Sequence, residues 1–196
     1  PTADMPLTPA QLLPATREII QELEERSGYP VSFLEDPGLK VLATVRMGTP
    51  RSPVHIIRYQ PGAATPDYQI AVEAGHAIRM FRHPPAQRFQ LSSTPEPHLT
   101  VAKALAKQHP RLPKAQREQM ATFLVDGVLL QLRSCPTGLL VDYELYQRYP
   151  TLRPLQAQSC SAQLATNVQV LALEYQQRFP PTILAANRAM NAAFAM

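Results

Sequence analysis

The chain has 196 residues, 45% hydrophobic and 17% charged, proportions that suit a globular protein and exclude an intrinsically disordered one. It has no run of about 20 apolar residues, and near its start no basic stretch leads into an apolar core, so the expectation is a cytoplasmic protein without a membrane partner. A net charge of +4 is too small to define a partner by itself, and the two cysteines, Cys135 and Cys160, lack metal-ligand spacing and read as reduced thiols.

Thr8-Pro9 opens the first predicted helix, with the hydroxyl as cap and the proline at the first helical position. Leu12, Leu13, Ile19, Ile20 and Leu23 make its apolar stripe, and Gly28 with Pro30 ends it. Three β-like segments follow: "YPVSFLED", "LKVLATVRM" with Val41, Ala43 and Val45 on one face, and "SPVHIIRYQPG". Together they predict a small, largely antiparallel sheet. Thr65-Pro66-Asp67 then starts a helix over 66–83, and Ile70, Ala74, Ala77 and Phe81 recur at helical spacing as its buried stripe.

The remainder reads as helices: "HLTVAKALAKQ", "KAQREQMATFLVDGVLLQLRS", "LLVDYELYQRY" after a break at Cys135-Pro136, "PLQAQSCSAQLATNVQVLALEYQQ" and "PTILAANRAMNAAFAM". In the last, Ala185, Ala189, Ala192 and Ala193 beside Met190 and Phe194 would let the helix pack closely against a neighbour. The predicted class is α+β, as a single domain over 1–196. A helix and three strands occupy 9–60, a motif helix 66–83, and a predominantly helical part 97–196.

One stretch carries chemistry. Zinc peptidases use His-Glu-x-x-His on a helix, where two imidazoles one turn apart hold the metal and the glutamate activates its water. "VEAGH", Val72 to His76, has Glu73 and His76 in place, but valine stands at the first ligand position. Valine has no lone pair, and a catalytic zinc needs three protein ligands. Gly75 costs about 1 kcal/mol in a helix relative to alanine, which predicts a close approach by another element.

The order strand, turn, helix bearing Glu-x-Gly-His resembles the ImmA/IrrE-type zinc metallopeptidases. "DYQIAVEAGHAIRMF" is similar to that family's motif helix, and the first helix with "GYPVSFLED" resembles its opening elements; the likeness covers roughly residues 10 to 82. The resemblance implies a zincin-like fold and Glu73 as general base. It implies His76 as a metal ligand, and a third, carboxylate ligand on a later helix: Asp142 or Glu144, with Asp126 and Glu118 behind them. Val72 departs from the family pattern. The implied function is therefore a catalytically compromised, partner-binding or regulatory protein that recruits a protein and needs no cofactor. The alternative is an active peptidase that binds zinc through a non-standard ligand set.

A third reading rests on charge. Residues 46 to 133 hold 5 acids and 12 bases, a net +7 against −4 before them and +1 after. Arg46, Arg51, Arg58, Arg79, Arg82 and Arg88 supply half of those bases. A basic stretch of this kind can steer a nucleic acid, with Arg79, Arg82 and Arg88 as the contacts, or it can be a solvated face. Cys135 has the alternative of a nucleophile with His76 or His109 as base, against a buried structural thiol.

Overall fold

A computed structural model describes residues 8–88, 93–169 and 179–195. In chain order these form α1 (Pro14–Ser27), β1 (Val31–Glu35), β2 (Ala43–Arg46), β3 (His55–Tyr59), α2 (Pro66–Phe81), α3 (Pro95–Gln108), α4 (Lys114–Arg148), α5 (Arg153–Gln169) and α6 (Pro181–Ala195). The architecture is mixed and mostly helical, with one three-stranded sheet. The described residues divide into two compact units: 8–88 with 140–161, and 93–139 with 162–169 and 179–195. α4 and α5 each contribute to both.

In the first unit the strand order is β1-β3-β2. β3 is central because it is the most deeply buried strand, with His55, Ile57 and Tyr59 inside. β2 pairs with it antiparallel and β1 pairs with it parallel, Phe33 beside Ile57. The sheet is therefore mixed rather than largely antiparallel. Alternation marks strands but not their order. The chain between β1 and β3, which includes β2, is long enough for the crossover a parallel pair requires.

α1 and α2 pack against this sheet. Ile19, Ile20 and Leu23 of α1 and Ile70, Ala74 and Ala77 of α2 are buried with Ile57 and Tyr59 in one core, which Val141, Leu145 and Leu152 complete. Phe81 departs from the predicted stripe: it is half-buried, and its ring meets Tyr29 and His55 edge to face at 6.3 and 5.3 Å. Gly75 meets the expectation of a close approach. A Cβ built there would lie 2.6 Å from Val141 Cγ1, so α4 crosses α2 at a point where only glycine fits.

α1 begins later than Thr8-Pro9 predicts. Residues Pro9–Gln11 form a separate short 3-10 turn, in which Gln11 Oε1 accepts from the Thr8 N–H and hydroxyl at 2.7 and 3.0 Å. α1 starts at Pro14, and the cap comes from α2: Asp67 Oδ1 accepts the Leu13 N–H at 2.7 Å. A carboxylate so placed satisfies one open N–H and meets the positive end of the helix dipole. Leu13 itself is exposed, and Val41 lies before β2, half of it in solvent.

In the second unit Val101 and Leu105 of α3, Ala121, Leu124 and Val125 of α4 and Ile183 of α6 form a smaller core. The predicted break at Cys135-Pro136 is absent: Pro136 sits inside the continuous α4. Its cost of about 3 kcal/mol is borne locally, between helical segments anchored by Leu124 and Val125 on one side and Val141 and Leu145 on the other. By length and composition α4 would suffice to cross a membrane, and 17% of its most apolar stretch is buried in this structure. Of the terminal alanine stripe, Ala193 lies outside the described side chains, as does Phe194; Ala185 and Ala192 are exposed.

Candidate functional site

α2 positions the motif. With its apolar side turned to the sheet and Gly75 turned to α4, the helix leaves Val72, Glu73 and His76 half-buried on its remaining faces. Val72 packs against the core, so the first ligand position is filled with apolar contact.

Glu73 reaches the sheet. Its Oε2 accepts the backbone N–H of Val45 at 2.9 Å. The Gln60 N–H bonds to the Leu42 carbonyl at 3.0 Å, and alternation from that pair turns the N–H groups of Ala43 and Val45 to the outer edge of β2. Glu73 thus occupies one open donor of an edge strand. Burial pushes its carboxyl up to about 7, partly opposed by the Val45 N–H, which favours the ionised form.

His76 makes no hydrogen bond to the described residues. Burial holds its imidazole below the ordinary value, and the nearby Arg79 guanidinium acts in the same direction. Both effects favour the neutral ring, the form that can ligate a metal.

The two proposed third ligands lie on the part of α4 that borders α2, and both are engaged. Asp142 Oδ1 accepts from the Tyr68 hydroxyl, and its own backbone carbonyl accepts Gln156 Nε2 at 2.9 Å. Burial raises the Asp142 carboxyl and the Tyr68 bond lowers it; Tyr68 itself is driven far up, first by burial and then by the neighbouring carboxylate. Gln156 Oε1 is buried without a partner among the described residues at the side of this cluster. Glu144 accepts Arg79 Nη1 at 2.5 Å and Arg82 Nη1 at 3.0 Å. Among the described residues, no three His, Cys, Asp or Glu side chains come together as a group that could hold a metal ion.

The other candidates belong to the second unit or face elsewhere. Asp126 is exposed rather than buried among its apolar neighbours, and pairs with His98 Nε2 at 3.4 Å. Glu118 lies 3.8 Å from Lys114 on the surface of α4. Cys135 Sγ is 4.0 Å from the Met190 carbonyl, with neither His76 nor His109 as a hydrogen-bond partner. Of the basic residues, Arg79 and Arg82 share Glu144. Arg88 stacks over the Phe81 ring at 4.3 Å and donates to the His83 carbonyl at 2.7 Å.

No protein-family model, curated protein or solved structure matches the chain.

One buried titratable group was hidden in the sequence. His55 is fully buried at the start of β3. The Gly48 N–H can only donate, and it does so to His55 Nδ1 at 3.1 Å, so the ring proton sits on Nε2 and is given to Ser27 Oγ at 2.9 Å. Burial lowers the His55 pKa, and the Glu24 carboxylate acts in the opposite direction. A Cβ on Gly48 would come 2.8 Å from Tyr29 Cδ2, so the donor residue must be small. The only sequence signal was a polar residue within an apolar strand pattern, which names no partner.

Proposed function

We propose that this chain is a zincin-like protein that has lost zinc proteolysis and serves to bind a protein partner. The observation that carries the reading is the Glu73 carboxyl bonded to the Val45 N–H of the edge strand. A general base for hydrolysis must face a metal-bound water; this one is turned onto the backbone of β2. Its neighbours agree, since Val72 is half-buried against the core and Asp142 and Glu144 are held by Tyr68 and by two arginines. The outer edge of β2 is the proposed binding surface. With the Val45 N–H taken by Glu73, the outward Ala43 N–H and the outward carbonyls can pair with an extended segment of a partner, and Val41 and Leu42 lie exposed beside them.

A second reading keeps the enzyme: a metal-dependent peptidase with an unusual ligand set. It is favoured by the His76 ring, free of hydrogen bonds to the described residues, one turn from a carboxyl that titrates near neutral pH. Zinc titration by calorimetry, run with a generic peptide-cleavage assay, separates the two. The expected result is no stoichiometric zinc and no cleavage by the parent chain. Val72→His should gain zinc affinity, because the new imidazole and His76 share a helix face one turn apart. Tight one-to-one zinc binding by the parent overturns the first reading.

A further inference from the structure

In the second unit, α3, α4 and α6 line an open cavity of about 570 Å³. That volume lies within the roughly 300–1,000 Å³ of small-molecule sites. Its walls are chemically divided. α4 contributes only apolar side chains, Val125, Val128, Leu129 and Leu132. The opposite wall contributes hydroxyls, from Ser93 and Thr94 just before α3, Thr100 of α3 and Thr182 of α6. Burial orients the division: Val101, Val125 and Ile183 are each 6% exposed at the inner end, and the three threonines are exposed at the mouth.

The mouth also selects by charge. Among the described residues no lysine or arginine lines the cavity, so an anionic head group finds no counter-ion among them. Glu96 is the one charged lining residue among the described residues, and it stands in the first turn of α3, where the positive end of the helix dipole offsets part of its charge. A cationic head group would meet that same positive helix end. None of the three threonine hydroxyls is hydrogen-bonded to the described residues, and each can both donate and accept.

We propose that this cavity binds an uncharged amphiphile, a single apolar chain bearing a hydroxylated head of the monoacylglycerol kind. The chain lies along the α4 wall towards Val125 and Ile183, and the head hydroxyls pair with Thr94, Thr100 and Thr182. The core of this unit is small, and an apolar chain in the cavity extends it.

The test is calorimetric titration of the full chain with 1-decanoylglycerol, decanoic acid and decylamine, all below their aggregation concentrations. The expected result is saturable one-to-one binding of the glyceride, with the acid and the amine at least tenfold weaker. Leu132→Trp places a large ring at the half-exposed rim of the cavity without disturbing the buried core, and should weaken glyceride binding at least tenfold. Phe123→Ala, which removes an exposed apolar ring outside the lining, should leave it unchanged. Circular dichroism of both variants reports folding. Absence of saturable glyceride binding overturns the proposal. So does equal binding of all three head groups, or a folded Leu132→Trp variant that binds as the parent does.

Discussion

Glu73 sets up an opposition between charge and hydrogen bonding that a pH series can read. Its folded pKa, about 7, lies above the ordinary 4.5, so the folded state holds the proton more tightly than the unfolded state. The associated stability is complete below pH 4.5 and is lost as pH rises through 7, by about 3 kcal/mol at one pKa unit per 1.4 kcal/mol. Glu73→Gln keeps an acceptor for the Val45 N–H and removes the titration. Denaturant unfolding between pH 4.5 and 8 should therefore show the variant gaining on the parent as pH rises; parallel curves would contradict the buried carboxyl. His55 has the opposite sign. Its folded pKa is depressed, so its contribution is present above about 6.5 and is lost as pH falls below that value. His55→Asn should flatten the acid side of the stability profile, at the cost of the bonds to Gly48 and Ser27. These residues also mark the limit of sequence reading. Glu73 and His76 stand out in the sequence because their spacing matches part of a motif, whereas the partners Val45, Tyr68 and Gly48 come from 7 to 74 residues away and leave no local pattern.

At the scale of elements, α2 is where periodicity and packing agree. Ile70, Ala74 and Ala77 recur at helical spacing and are buried, and Gly75 signalled the crossing by Val141. Gly75→Ala should gain about 1 kcal/mol of helix propensity and lose about 1–3 kcal/mol to overpacking, since Val141 is buried and β-branched and cannot turn aside. The expected outcome is net destabilisation, relieved by Val141→Ala in the double variant; a more stable single variant would show that the helices separate freely. The capping of α1 by Asp67 was not legible, because the donor and acceptor are 54 residues apart. A cap can come from another element, and Thr8 offered a plausible local one. The continuous α4 escaped for the reverse reason: proline is a strong local breaker, and only the cores at both ends of the helix outweigh it.

Across the whole molecule, local stability should follow the division of the core. Among the described residues the first unit buries nineteen hydrophobic side chains in one cluster and the second buries six. At about 1.5–3 kcal/mol for each large apolar side chain removed from water, the first cluster gains several times more than the second. Both must offset a backbone ordering cost of about 1–2 kcal/mol per residue. Opening of α3 and α6 should therefore cost less free energy than opening of β3 and α2. Native-state hydrogen exchange followed by mass spectrometry tests this. Peptides covering Ile57, Ile70 and Ala74 should be the slowest to exchange, and those covering Val101, Leu105 and Ile183 should exchange faster by at least tenfold. α4 is the informative element because it serves both cores. Its amides near Val141 and Leu145 should match α2, its amides near Leu124 and Val125 should match α3, and the change in rate should fall near Pro136, where the helix already lacks a backbone donor. Uniform protection along α4 would mean that the two cores open together.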